Sequence, residues 1–314
     1  MFTSNATAAL NIVADGLCLP EGAEVLTLPG DHRSTLLAWR KRWRTRTVDC
    51  SPLQPLDPDA LRRAISGQTK AIVLSHASNV TGLVQPVAEL CRVARELGLI
   101  SVIDAAQSAP HLPLNVQTIG CDFLTFSGHK MLGPTGVGVL YGRASQLEQL
   151  EAKTLGGGVV ARVTARSHEL RWGPARFEAG TPNIAGVLGL AEAARFLERV
   201  GWPKIQDHGR ALSIALTRGL SEVRGLRTIV AEGELLPIVS VTAPNSAVRL
   251  EDIAMALSDR YGIMSRAGLQ CAHPLFQALC LQSGALRVSA YIYNTAGEVD
   301  SLCESLSELM STLG

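Results

Sequence analysis

Between residues 71 and 142 the chain carries four continuous apolar runs of strand length. "AIVLS" spans 71–75, "LISVID" 99–104, "DFLTFS" 122–127 and "GVGVLYG" 136–142. Between the first two lies "PVAELCRVARELG", in which Val87, Leu90, Cys91, Ala94 and Leu97 recur at helical spacing. A strand with one wet face alternates apolar and polar residues, whereas an unbroken apolar run is covered on both faces. Such strands, separated by helices, predict an α/β fold whose mainly parallel sheet has helices on both sides. Ligands collect at the carboxyl ends of strands in sheets of this kind. The polar residues that end the runs therefore come under scrutiny: Ser75 with His76, Asp104, and Ser127-Gly128-His129.

The pattern changes after "RFEAGTPN" (176–183). A long amphipathic stretch, "AGVLGLAEAARFLERVG", leads into helices mixed with short strands such as "IVSVTA" (238–243) and "LRVSAY" (286–291). We expect a large domain over residues 1–183, a linking helix at 184–200 and a smaller α+β domain over 201–314. With 314 residues, 46% of them hydrophobic and 18% charged, the chain has ample material for such cores. A formal net charge of +1 without like-charge blocks argues against a nucleic-acid groove or a polybasic membrane anchor, which leaves small molecules as partners. The seven cysteines are scattered without metal-ligand spacing, so no metal is expected and a reducing cytoplasm suits them. The first twenty residues fit neither a signal peptide nor a spanning helix.

"SGHKMLGPTGVGVLYGR" (127–143) sets a lysine just ahead of a glycine run. In a Walker loop the lysine follows the glycines, and in a dinucleotide fingerprint the glycines leave a strand and open a helix. Here Lys130 precedes them and they enter a strand, so both phosphate-loop readings fail on order. A single lysine is usually a solvated charge. Its company raises the expectation of a reactive amine: Asp104 ends one strand, Gln107 follows three residues on, and Lys130 ends a later one.

That arrangement resembles the pyridoxal-phosphate site of class V aminotransferase-like enzymes of fold type I. More closely, the chain resembles cysteine desulfurases of the SufS and selenocysteine-lyase type. The runs that carry the likeness are "SHASNVTG", "VIDAAQSAPHLPLNV", "CDFLTFSGHKMLGPTGVGVLYGR", "RFEAGTPN", "SRAGLQCAHPL" and "LRVSAYIYNTAGEVD", in the family's order over nearly the whole chain. The resemblance implies a seven-stranded, mainly parallel sheet in the large domain. It also implies pyridoxal 5'-phosphate, joined to Lys130, which then serves as acid and base. Asp104 would pair with the ring nitrogen, Gln107 would bond the phenolic oxygen and His32 would stack on the ring. Thr7, Ser127 and His129 would hold the phosphate, with Thr181 reaching in from the second subunit of a homodimer. Asn79 and Arg287 would take the substrate carboxylate, for which a guanidinium fork is suited.

The implied reaction converts L-cysteine to L-alanine and leaves the sulfur on Cys271 as a persulfide, ready for a sulfur-acceptor protein. Cys91, Cys121, Cys280 and Cys303 are expected to be structural, on helical patterns or beside a buried strand. Some positions depart from the family pattern: Gln270 stands where a histidine often precedes the cysteine, and Ala6 and Ala8 replace a usual threonine and glutamate. Relatives also carry a segment upstream of the region where this chain starts, which covers the active site and joins the small domain. Closure over substrate and stability of the small domain are expected to differ accordingly. Alternatives stay open at this level: selenocysteine lysis, another amino-acid lyase or epimerase, or a shortened non-catalytic partner of a full-length relative.

Overall fold

The structure is a computed structural model that describes residues 1–244 and 248–313. Among them, seven strands form the large sheet: β1 (Phe2–Thr3), β2 (Glu24–Thr27), β3 (Arg44–Thr47), β4 (Thr69–Ser75), β5 (Ile100–Asp104), β6 (Phe123–Ser127) and β7 (Gly138–Gly142). Their spatial order is β1-β7-β6-β5-β4-β2-β3. The strands from β3 across to β6 pair in parallel, while β7 runs antiparallel to β6 and β1 antiparallel to β7. Six helices accompany this sheet: α1 (Ala6–Gly16), α2 (Arg33–Arg40), α3 (Pro58–Ala64), α4 (Val87–Glu96) and the short α5 (Val116–Ile119) and α6 (Ala144–Gln149).

Successive residues of a strand face opposite sides of its sheet. Leu26, Ile72, Leu74, Ile103 and Leu124 accordingly pack with Leu61, Leu90 and Ala94 of α3 and α4 in one buried layer. Their strand neighbours Val25, Ala71, Val73, Val102 and Phe123 pack with Leu10 and Val13 of α1 and Trp39 of α2 in the other. Each large side chain so buried contributes roughly 1.5–3 kcal/mol. The continuous apolar runs thus fulfil their expectation of a sheet covered on both faces.

Glycines after Lys130 serve close packing. A Cβ on Gly138 would lie 2.7 Å from the Asn5 Cα and 2.8 Å from the Phe126 carbonyl oxygen. Their absence of side chain lets the start of α1 press against β7 and brings Thr7 to the carboxyl ends of the strands.

Past β7 come a hairpin, β8 (Val160–Val163) with β9 (His168–Leu170), and the long helices α7 (Ile184–Val200) and α8 (Trp202–Glu222). A second sheet then forms from β10 (Arg227–Ile229), β11 (Ile238–Thr242), β12 (Arg266–Gly268) and β13 (Ala285–Ser289), in the order β10-β11-β13-β12 and wholly antiparallel. Helices α9 (Leu250–Tyr261), α10 (His273–Ala278) and α11 (Ala296–Leu313) complete it. Its core joins Leu212 and Leu216 of α8 to Val241, Ile253, Leu286 and Leu306.

Cys91 and Cys121 are buried, as expected of structural thiols, and Cys303 is half-buried on α11. Cys280 departs from the helical expectation. It is exposed and adopts a φ of +57° just beyond the end of α10, where the chain turns towards β13.

The second sheet is tied to the large one at the loop after β4. Ser240 donates to the Val80 carbonyl at 2.6 Å, and the Leu236 amide donates to the Gly82 carbonyl at 2.9 Å. Gly82 has a φ of +73°, and a Cβ there would meet the Leu236 carbonyl oxygen at 2.5 Å. This contact brings Arg287 and the β12–α10 loop, which carries Cys271, up to the carboxyl ends of β4 and β5.

Candidate active site

A cavity of about 480 Å³ opens at those carboxyl ends, within the range of small-molecule sites. Eight of the residues named from sequence line it together: Thr7, His32, Asn79, Asp104, Gln107, Ser127, His129 and Lys130. The register explains part of this, because Ser75 and Asp104 are directly paired at the ends of β4 and β5. Lys130 sits on a single 3-10 turn that follows β6.

Asp104 is held at both oxygens. The Ala106 amide donates to Oδ1 at 2.9 Å and the Thr35 hydroxyl donates to Oδ2 at 3.3 Å. Burial pushes the Lys130 ammonium below its ordinary value and nearby Arg287 pushes the same way, while Asp104 and Cys271 oppose. His32 caps α2, its Nδ1 accepting from the Ser34 amide at 3.2 Å. That bond leaves the neutral ring's proton on Nε2, and burial holds the histidine below its ordinary value.

At the start of α1, the Ala6 amide donates to the Ser127 hydroxyl at 2.9 Å, and Thr7 and Ser34 share a hydroxyl pair at 2.7 Å. Ser127 therefore keeps its own proton free to donate, and one hydroxyl of the pair does too. Together with the helix N-terminus and His129, these groups fit a phosphate dianion. An amine, a carboxylate and a phosphate cradle lining one cavity fit pyridoxal phosphate.

Cys271 lies at the edge of this site. It is half-buried, close enough to Lys130 and Arg287 to bear on both electrostatically. Gln270 and Cys271 have φ of +47° and +57°, which costs a non-glycine residue roughly 1–2 kcal/mol each. Polar contacts hold the turn: Asn79 Nδ2 donates to the Gln270 carbonyl and the Arg33 amide to the Cys271 carbonyl, both at 2.7 Å. Arg287 Nη1 donates to the Asn79 carbonyl at 3.0 Å. Buried Asn79 Oδ1 and Arg287 Nε have no partner among the described residues, as expected of groups awaiting a ligand. Thr181 is exposed and outside the cavity lining.

Several residues escaped sequence reasoning. Asn5 and Ser34 also line the cavity, beside Ala6, which the sequence marked only as a departure. Ser75, already marked by its strand end, lines the cavity too; its hydroxyl approaches that of Thr35 to 3.4 Å, and the pair links Asp104 to Asp31, a buried acid bonded by the Leu28 and Ser75 amides at 2.6 and 2.7 Å. The run "GDHRST" (30–35), which leads into α2 and forms its first turn, was the available signal.

Burial raises the Asp31 carboxyl to about 7 against an ordinary 3.8, with the hydrogen bonds opposing and Asp104 adding to the rise. The folded chain thus holds a proton that the unfolded chain releases, and its contribution to stability is complete below the unfolded value and lost as pH rises through about 7. Chemical unfolding of the cofactor-free protein is expected to show Asp31→Asn losing less stability than wild type between pH 5 and 8, by on the order of 1–3 kcal/mol. Parallel curves would exclude the buried proton.

Among the described residues, no cluster of histidine, cysteine and acidic side chains is able to hold a metal ion. The family model described as aminotransferase class-V matches residues 1–302. A probable cysteine desulfurase of Aeropyrum pernix is 39% identical over 330 residues, covering 99% of this chain and 79% of the relative. One from Halalkalibacterium halodurans is 37% identical over 322 residues, covering 100% and 78%. Among solved structures, the apo cysteine desulfurase of Thermococcus onnurineus NA1 superposes with a TM-score of 0.94 at 35% identity, over 100% of this chain and 79% of that one. With a family match along nearly its entire length and relatives of this identity and coverage, the chain belongs to the aminotransferase class-V family.

Proposed function

We propose that the protein is a pyridoxal-phosphate-dependent cysteine desulfurase, which converts L-cysteine to L-alanine and receives the sulfur on Cys271. The observation that carries this reading is the convergence of Lys130, Asp104 and the Cys271 turn on one site. When bound, the cofactor supplies the electron sink that makes bonds at the amino acid's α- and β-carbons labile.

The chain's own groups divide the remaining work. Asp104, fixed by Thr35 and Ala106, would pair with the ring nitrogen, His32 would stack on the ring and Gln107 would bond the phenolic oxygen. Thr7, Ser127 and His129 hold the phosphate. Arg287 and Asn79 orient the substrate carboxylate through N–H donors, the unpartnered Arg287 Nε and the second proton of Asn79 Nδ2, whose first goes to the Gln270 carbonyl. Lys130, whose neutral form burial favours, holds the cofactor and moves protons at its Nζ. In the net sulfur step the carbon–sulfur bond of the substrate breaks and a sulfur–sulfur bond to Cys271 forms. The bond's electron pair stays with carbon, which takes a proton as the methyl group of alanine. No external oxidant is needed.

The working unit is a homodimer that places Thr181 of one copy at the phosphate of the other. Supporting this, the segment around Thr181 exposes Leu155, Val163, Trp172, Ile184 and Leu188, with Trp172 84% exposed; a cluster of this kind marks an interface. Light scattering is expected to show a dimer that Trp172→Glu shifts towards monomer. Thr181→Ala is expected to weaken cofactor binding about tenfold, for one bond to a charged group; a monomeric wild type with unaltered cofactor affinity would refute the shared site.

Residues 1–183 serve as the cofactor domain, 184–200 as the linking helix and 201–314 as the smaller domain. No described helix is long and apolar enough to cross a membrane, and all seven cysteines are free, which supports a cytoplasmic enzyme handing sulfur to an acceptor protein. The direct test is incubation with L-cysteine and a thiol reductant. Alanine and sulfide in equal amounts are expected; release of alanine only from selenocysteine would favour the lyase reading.

A further inference from the structure

The sulfur of Cys271 has an unexpected neighbour. Arg33 Nη2 lies 3.5 Å from Sγ, in donor geometry, and the Arg33 amide donates to the carbonyl of the same cysteine at 2.7 Å. Arg33 is the first residue of α2 and follows His32 directly, so one rigid helix start presents both the ring-stacking residue and this guanidinium. Among the described residues no carboxylate pairs with Arg33, and its side chain's hydrogen-bond partner is the sulfur. An arginine so placed, half-buried and without an acid, is a cation in search of an anion.

Gln270 cannot fill that role. Its amide Nε2 donates to the carbonyls of Arg266, Gly268 and Ala285 at 2.7, 3.3 and 3.3 Å. These bonds stitch the strained turn to the edges of β12 and β13 and occupy the side chain that precedes the cysteine. The position where related sequences often have an imidazole thus does structural work in this chain. Two other cations, Lys130 and Arg287, also bear on the sulfur, yet Lys130 lines the cavity and Arg287 bonds the Asn79 carbonyl, and in the proposed function they are engaged with cofactor and substrate carboxylate.

We propose that Arg33 is a catalytic residue of the sulfur step, whose guanidinium aims the Cys271 sulfur and pairs with the negative charge that sulfur carries as nucleophile and as persulfide. The inference rests on the reading of Cys271 as sulfur acceptor. Chemistry favours arginine for this duty. A thiolate is the attacking species and a persulfide ends in a charged sulfur. A guanidinium stays protonated, is weakly hydrated and donates charge-assisted hydrogen bonds from a rigid plane. The bonds from Arg33 to backbone and sulfur together fix the cysteine in a conformation it does not favour by itself.

The test compares Arg33→Met, which keeps the bulk and the backbone donor, with Arg33→Lys, which keeps the charge. In each cofactor-loaded protein the rate of Cys271 modification by neutral iodoacetamide is followed by peptide mass spectrometry. The exposed Cys18 and Cys280 serve as internal references. Arg33→Met is expected to slow modification of Cys271 about tenfold with the references unchanged, and Arg33→Lys to recover a substantial part. Wild-type reactivity in Arg33→Met overturns the proposal, as does a slowing that Arg33→Lys fails to recover, because the residue would then shape the turn without supplying charge. Peptide mass after a pulse of L-cysteine separates the two readings. If wild-type Cys271 never gains a sulfur atom, the acceptor assignment fails whatever the alkylation rates show.

Discussion

Lys130→Ala is expected to lower L-cysteine turnover by about 10³-fold or more and to leave the protein colourless after removal of free cofactor. The size follows from two losses at once. One is the covalent anchor that keeps the cofactor in place between turnovers, and the other is the proton carrier at the reacting carbon. No other lysine is positioned to replace it. Lys41 pairs with Asp15, Lys153 pairs with Glu151, Lys70 donates to the Gly67 carbonyl and Lys204 is exposed on α8. Lys130→Arg is expected to be equally inactive although it keeps a positive charge, because a guanidinium does not deprotonate near neutral pH. An arginine variant with more than a tenth of wild-type turnover would show that charge alone is required there.

Cys271→Ser is expected to separate cofactor chemistry from sulfur acceptance. Cys271 is absent from the lining of the cofactor cavity, so the variant should bind cofactor with wild-type stoichiometry and still change its visible spectrum on addition of L-cysteine. Turnover should fall by at least about 10²-fold, since a hydroxyl is a far weaker nucleophile than a thiolate near neutral pH. No sulfur should accumulate on the protein. Serine preserves the backbone bond from Arg33 and nearly preserves volume, so the fold is expected to be kept, with thermal unfolding within a few degrees of wild type. Full alanine production in Cys271→Ser would mean that sulfur leaves without passing through residue 271.

Much of the large sheet was legible because its strands are buried on both faces and therefore read as unbroken apolar runs with polar ends. The runs at 71–75, 99–104, 122–127 and 136–142 correspond to β4, β5, β6 and β7. Strand direction was not legible: β7 is as apolar as its neighbours yet runs antiparallel to β6, since hydrophobic content records burial and carries no polarity. The hairpin of β8 and β9 escaped for the opposite reason. Its residues are largely exposed, so no burial pattern marks it.

Within the site, residues at strand ends and in the lysine turn could be named because local order places them at the sheet's carboxyl edge. The supporting partners depend on contacts far apart in sequence. Arg33 and Cys271 are separated by 238 positions, and Thr35 and Asp104 by 69. Neither spacing follows from any local periodicity. Gln270 illustrates the limit most clearly: the sequence marks it as a departure, and only the three carbonyls around its amide explain what it does.

Fixing the cofactor to the protein with borohydride and mapping the modified peptide tests the central claim most directly. The account predicts the reduced cofactor on the peptide containing Lys130 alone, at one per chain. Attachment at Lys41, Lys70, Lys153 or Lys204, or recovery of every lysine unmodified from protein saturated with cofactor, would contradict it.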